Sequence, residues 1–269
     1  MRNWFLQLDQ LLRGDATQPS TLKEGKFEIP SKGILLLAIV LAEFYGLCMG
    51  LYAVLRTGGT SDGWMQMLAS AIKLPLLFLL TMCVTLPSLY VFNALVGSRL
   101  SLSSVINLLV ASMAITVAIL ASLGPIVAFF SLSTTSHPFM VLLNVIVSAT
   151  AGFLGLKFMM RTLNRLVFSR EQAELPESAP PPALPISQFD FESERTLSPL
   201  DHGGLKKHNE AAKVFRIWVV VFALVGAQMS WVLRPFIGSP TLEFSWFRGR
   251  EDNFFIAVFE VIRTVLTGG

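Results

Sequence analysis

Charge is scarce in this sequence. Asp, Glu, Lys and Arg make up 14% of its 269 residues, against a hydrophobic share of 53% and a mean hydropathy of +0.60. Soluble domains carry about 25% charged residues, so a water-soluble globule is excluded as the main body of the chain. The formal net charge of +3 is too small to indicate a nucleic-acid partner. Cysteine occurs twice, as Cys48 and Cys83, each inside an apolar stretch. That excludes a disulfide framework, and neither residue has metal-ligand spacing around it. The three histidines are His137, His202 and His208, and the last two flank GGLKK at a spacing with no recognised metal use. HExxH and glycine-rich phosphate loops do not occur. With no catalytic constellation in view, the sequence leads to a protein that is not an enzyme and that has no metal or cofactor.

What the chain does have is long apolar runs. Gly33–Leu55, GILLLAIVLAEFYGLCMGLYAVL, carries a single charge, Glu43, and as a helix extends for about 33 Å, enough to cross a bilayer. Within it Ala42, Gly46 and Gly50 recur every fourth residue, a small-residue ridge on which another helix can approach closely. Further spans are expected at Leu74–Val96, Val105–Phe130, Phe139–Met160 and Val214–Leu233. Pro75 falls in the first turn of the second span, where proline costs little. Pro87 falls near its middle, where it frees a carbonyl that Thr85 or Ser88 can satisfy. Gly124 and Pro125 suggest a break or a short re-entrant piece near the end of the third span.

The predicted fold is all-α: a polytopic integral membrane protein with about five transmembrane helices and interfacial amphipathic segments at both ends. Residues 1–32 form an amphipathic segment and loop, with Trp4, Phe5, Leu8, Leu11 and Leu12 able to share one face. The start lacks the long apolar run and cleavage site of a signal peptide. Residues 33–160 form a four-helix transmembrane region. Residues 161–213 form a polar, proline-containing loop that includes APPPALP at Ala179–Pro185, expected to be extended or disordered. Within it Phe189 and Phe191 are apolar residues in a polar setting and a candidate partner-docking motif. Residues 214–233 are the fifth helix. Residues 234–269 are an aromatic-rich tail ending in a short interfacial helix, Phe254–Leu266.

Charge placement supplies an orientation. With five spans and a cytoplasmic N-terminus, 15 of the 21 Lys and Arg residues fall on the cytoplasmic side, as the positive-inside rule requires. The C-terminus is then periplasmic or external, and a bacterial inner (plasma) membrane is the expected location.

Glu43 is the sharpest residue. A carboxylate at mid-bilayer depth is costly unless it is neutralised, paired or facing water. It is expected to face the bundle interior or a partner helix, with Tyr45, Asn93, Asn107, Asn144 and Gln228 as candidate partners. Together with Gly46, Gly50 and Pro87, these form the candidate helix-packing and intramembrane polar set.

The run Lys73–Asn93, KLPLLFLLTMCVTLPSLYVFN, resembles the second-span region of Yip1-domain-like membrane proteins of bacterial type. The order of five apolar segments is similar as well. The eukaryotic members that the chain resembles are accessory membrane proteins that bind small GTPases and shape or sort vesicle membranes. The resemblance implies a helical membrane architecture. It carries over no GTPase-binding residue, because the DLYGP signature is absent here. The expected function is a membrane-embedded scaffold, anchor or accessory subunit of a multiprotein complex. Its partners are membrane lipids and other membrane-protein subunits or copies of itself, with no nucleic acid. A small-solute or ion transporter using Glu43 is the alternative, ahead of a lipid-active enzyme. The chain shows no internal repeat of the kind transporters often carry.

Overall fold

A computed structural model describes residues 2–13, 31–95, 102–174, 217–239, 242–247, 249 and 253–267. Among these residues there are seven helices and no strand. They are α1 (Arg2–Arg13), α2 (Ser31–Arg56), α3 (Ser61–Leu95), α4 (Leu102–Ser133), α5 (His137–Glu174), α6 (Ile217–Val232) and α7 (Phe254–Thr267). Four of them contain stretches long and apolar enough to cross a membrane: Lys32–Arg56, Ser61–Ser88, Ser103–Ser133 and His137–Arg165. The described chain is thus an all-α protein of membrane type.

The helix lengths depart from the sequence reading in a consistent direction. No proline or glycine interrupts Trp64–Leu74, so the helix starts well before the expected start of the second span and runs for 35 residues as α3. Pro75 is therefore an interior residue and not a first-turn one, and α3 continues through both it and Pro87. Each proline removes one helical hydrogen bond, a local loss that the remaining ladder and packing tolerate. The hydroxyls near Pro87 do not go to the carbonyl it frees. Thr85 Oγ1 donates to Thr81 O at 2.7 Å and Ser88 Oγ to Thr85 O at 2.7 Å. Likewise α4 runs unbroken through Gly124 and Pro125. α5 continues past Met160 to Glu174, so the first part of the expected polar loop is helical. Phe189 and Phe191 lie outside the described residues.

α4 is the central element. Of its apolar window 78% is buried, against 28–44% for the other three long helices, and it touches α1, α2, α3 and α5. Three of its buried hydroxyls close on their own helix: Ser112 donates to Leu109 O, Thr116 to Ser112 O and Ser131 to Val127 O. Back-bonding of this kind lets polar side chains pass through an apolar layer with no external partner.

Two devices fix the end of the bundle near Arg56. Gly58 and Gly59 have φ of 67° and 76°, a left-handed conformation that glycine alone adopts without strain. It allows Gly59 N to bond Val54 O at 2.9 Å, which closes α2 with a Schellman-type cap and reverses the chain into α3. The Arg56 guanidinium donates to the Ser131 and Thr134 carbonyls, while Tyr52 donates to Thr135 O at 2.7 Å. These side chains satisfy the orphan carbonyls at the C-terminus of α4 and pin α2 to the α4–α5 corner.

At the other end α1 lies across α2 and α4. Leu8 and Leu11 are buried, while Phe5 and Leu12, expected on the same face, sit at its rim and are exposed. α7 lies against α5 with no buried residue.

Candidate functional site

The α2–α3 contact sets the level of everything else. An added Cβ at Gly50 would lie 2.6 Å from Met67 Cα, and one at Gly46 would lie 2.7 Å from both Ala71 Cα and Ser70 O. The two glycines therefore rest directly on the α3 backbone, in antiparallel register. One further turn along α2 puts Glu43 level with Lys73 and Leu74. Each of these two ionisable residues is also within two residues of the middle of its own apolar stretch, Lys32–Arg56 or Ser61–Ser88. They face opposite ways: Glu43 is exposed and Lys73 is buried.

The interior-facing reading of Glu43 does not hold. The buried side of α2 includes Ala38, Ala42, Tyr45, Met49 and Tyr52. Tyr45 lies about 200° around the helix from Glu43, and in this packing the Tyr45 side is buried while the Glu43 side is exposed. Two of the expected partners satisfy each other instead. Tyr45 donates to Asn144 Oδ1 at 2.9 Å, and Asn144 Nδ2 donates to Met140 O at 2.9 Å. This is a closed polar contact between α2 and α5 inside the core. Asn107 is buried on α4, Gln228 is half-buried on α6, Asn93 lies in the last turn of α3 and Pro87 is exposed. Glu43 makes no hydrogen bond or ion pair among the described residues. It shares its exposed face with Leu36, Val40, Phe44 and Leu47.

Sequence reasoning missed Lys73 and its neighbours. Gln66, Ser70 and Lys73 recur at four and three residues along one face of α3, and all three are buried. They gather the carbonyls of the segment that follows α6. Gln66 Nε2 donates to Pro235 O at 3.1 Å and Phe236 O at 3.3 Å. Ser70 Oγ donates to Phe236 O. Lys73 Nζ donates to Pro235 O at 3.0 Å and to Trp246 O, with the rings of Trp246 and Phe247 centred 5.9 and 5.3 Å away.

The reason lies in where α6 stops. Trp218 Nε1 donates to Ser88 Oγ at 2.9 Å, so α6 runs antiparallel to α3. Pro235, three residues after Val232, already meets Lys73. α6 thus ends beside the middle of α3, and the chain continues without helical hydrogen bonds. Irregular backbone at that level needs donors from the protein, and an ammonium beside a helix C-terminus also opposes the helix dipole. The visible signal was a lysine within an apolar run; nothing local identified the tail as its partner.

One stretch matches a catalytic spacing. Gly59–Gly63 reads GTSDG, the G-x-S-x-G pattern of a strained strand-to-helix nucleophile elbow. Here it joins two helices, Ser61 is exposed, and Asp62 accepts from Phe244 N at 3.4 Å. The element before it is the helix α2, where the elbow needs a strand.

Compared with family models, curated proteins and solved structures, the chain has no match in any of the three.

Proposed function

We propose that this protein is a membrane-embedded scaffold, anchor or accessory subunit of a multiprotein membrane complex. The observation that carries the reading is the outward Glu43, level with the middle of the bundle and ringed by exposed Leu36, Val40, Phe44 and Leu47. A carboxylate facing hydrocarbon is costly, and a neighbouring protein surface removes that cost. The interior favours the same reading, because its polar groups close on one another: Tyr45 on Asn144, and Lys73, Gln66 and Ser70 on the tail. The transporter alternative draws on the break after α6, since broken helices often build solute sites. The carbonyls near that break are taken by α3 side chains, which weakens it. The Yip1-domain-like resemblance enters this proposal as architecture alone.

The experiment is purification of the full chain in mild detergent, with partners identified by mass spectrometry. A stoichiometric membrane-protein partner is expected. Solute uptake by the purified protein alone in liposomes would overturn the reading in favour of transport.

The proposed topology has five crossings, a cytoplasmic N-terminus and an external C-terminus, in a bacterial inner membrane. It rests on the basic residues, 15 of 21 on one side. In a background lacking Cys48 and Cys83, Ser193→Cys is expected to label only from the cytoplasmic side and Ser239→Cys only from outside. Labelling of both from one side rejects five crossings.

A further inference from the structure

We infer that the Glu43 face of α2 is the contact with a second copy of this chain, a parallel two-fold pairing in which Glu43 meets Glu43 of the other copy. The inference rests on one step of the reading above, that a protein surface covers Glu43, and names that surface. Three observations carry it.

Leu36, Val40, Glu43 and Leu47, all exposed, recur at four, three and four residues. That is the seam spacing of a left-handed helix pair, in which one polar residue at a seam position fixes register and partner number. The apolar members of the seam are as content in lipid as in protein, so Glu43 is the residue that requires cover.

The second observation is one of symmetry. Two copies of a membrane protein share one orientation in the bilayer, so a two-fold axis between them runs along the membrane normal. Each residue on such an axis meets its own copy at the same depth. A carboxyl group suits that position, because its protonated form donates one hydrogen bond and accepts others. Two carboxyls can thus satisfy each other with no third group.

The third observation disfavours an offset contact between copies through the described helices. The exposed cations of the four long helices, Lys32, Lys157, Arg161 and Arg165, lie away from the level of Glu43, towards the ends of their apolar stretches. Two cations of the described residues lie near its level: Lys73 is buried beneath the tail, and Arg234, next to Pro235, donates to Gly249 O and lies over the Trp231 ring. Among the described residues of α2 to α5, a displaced or head-to-tail arrangement therefore offers Glu43 no free counter-charge.

The test uses the full-length protein in native membranes, with Cys48→Ala and Cys83→Ala as background. Single cysteines replace Val40, Leu47 or Ile146, the last an exposed residue of α5. Oxidation is expected to give covalent dimers at positions 40 and 47 and none at 146. These variants retain Glu43, so the result does not depend on tolerance of its loss. By energy transfer between labelled copies in lipid, Glu43→Gln should dimerise as the parent does, because an amide also donates and accepts. Glu43→Leu should weaken dimerisation by about 3- to 30-fold, the range for a polar contact between membrane helices. Dimers at 146 but not at 40 and 47, or undiminished dimerisation of Glu43→Leu, overturn the inference. So does cross-linking of 40 and 47 to a different protein, an outcome that leaves the subunit reading intact. Dimers at 40 and 47 with no other protein in the mild-detergent preparation support the inference and reject the multiprotein complex.

Discussion

Lys73→Met is expected to free the segment after α6 from the bundle while leaving α2, α4 and α5 assembled. Methionine fills much of the lysine volume and keeps the apolar stem contacts, so the change isolates the ammonium. Two carbonyls, those of Pro235 and Trp246, then lose a charged donor. Hydrogen bonds to charged groups contribute about 1.5–3 kcal/mol, and an unsatisfied buried carbonyl adds its own desolvation cost. Pro235 O retains Gln66, which limits the damage there. Trp246 O keeps no such second donor among the described residues of α3, and its indole loses the cation above it. An opening penalty lowered by about 2 kcal/mol raises the open population about 30-fold. Chymotrypsin cleavage after Trp246 or Phe247, measured in detergent, reports that population. Lys73→Arg should fall between parent and Met, because a guanidinium keeps the charge but not the compact shape of the ammonium. A cleavage rate for Lys73→Met equal to the parent's would show that the ammonium does not hold the tail.

Gly46→Leu and Gly50→Leu are expected to loosen the whole fold. The obstructing atoms are backbone: Met67 Cα opposite Gly50, and Ala71 Cα with Ser70 O opposite Gly46. A flexible side chain can swing aside, but a helix backbone moves only as a body, so α3 must shift away from α2. Overpacking of this kind costs about 1–3 kcal/mol per site. The displacement also carries Gln66, Ser70 and Lys73, so the tail contacts weaken with it. Thermal melting in detergent, followed by intrinsic fluorescence, should show a lower Tm for each variant and a further drop for the pair. Gly152 is the control, because an added Cβ there meets nothing within 4 Å. Gly152→Ala should leave Tm unchanged or raise it, given the better helix propensity of alanine. If Gly46→Leu melts with Gly152→Ala, close approach at α2–α3 is not a source of stability.

Sequence alone determined the class of molecule, because that follows from local quantities. The long apolar runs of α2 to α5 leave no soluble alternative once charge falls to 14%, and a segment of about 20 apolar residues satisfies its backbone in lipid only as a helix or a closed barrel. The short amphipathic helices at Arg2–Arg13 and Phe254–Thr267 were legible for the same reason, since side-chain periodicity is a property of the segment itself. Proline misled at Pro75 and Pro125: its cost is one local hydrogen bond, and packing around a long helix overrides it.

Tertiary structure decided direction and partnership. Glu43 and Tyr45 are two residues apart in the same apolar run. Which of them faces inward depends on how α2 is rotated against α3 and α4, and that rotation is set by contacts such as Gly50 on Met67 and Arg56 on the end of α4. The union of Lys73 with Pro235, 162 positions along the chain, has no local signature at all. It follows from where α6 stops beside α3, because backbone left without helical partners at that level takes its hydrogen bonds from the donors the fold places next to it.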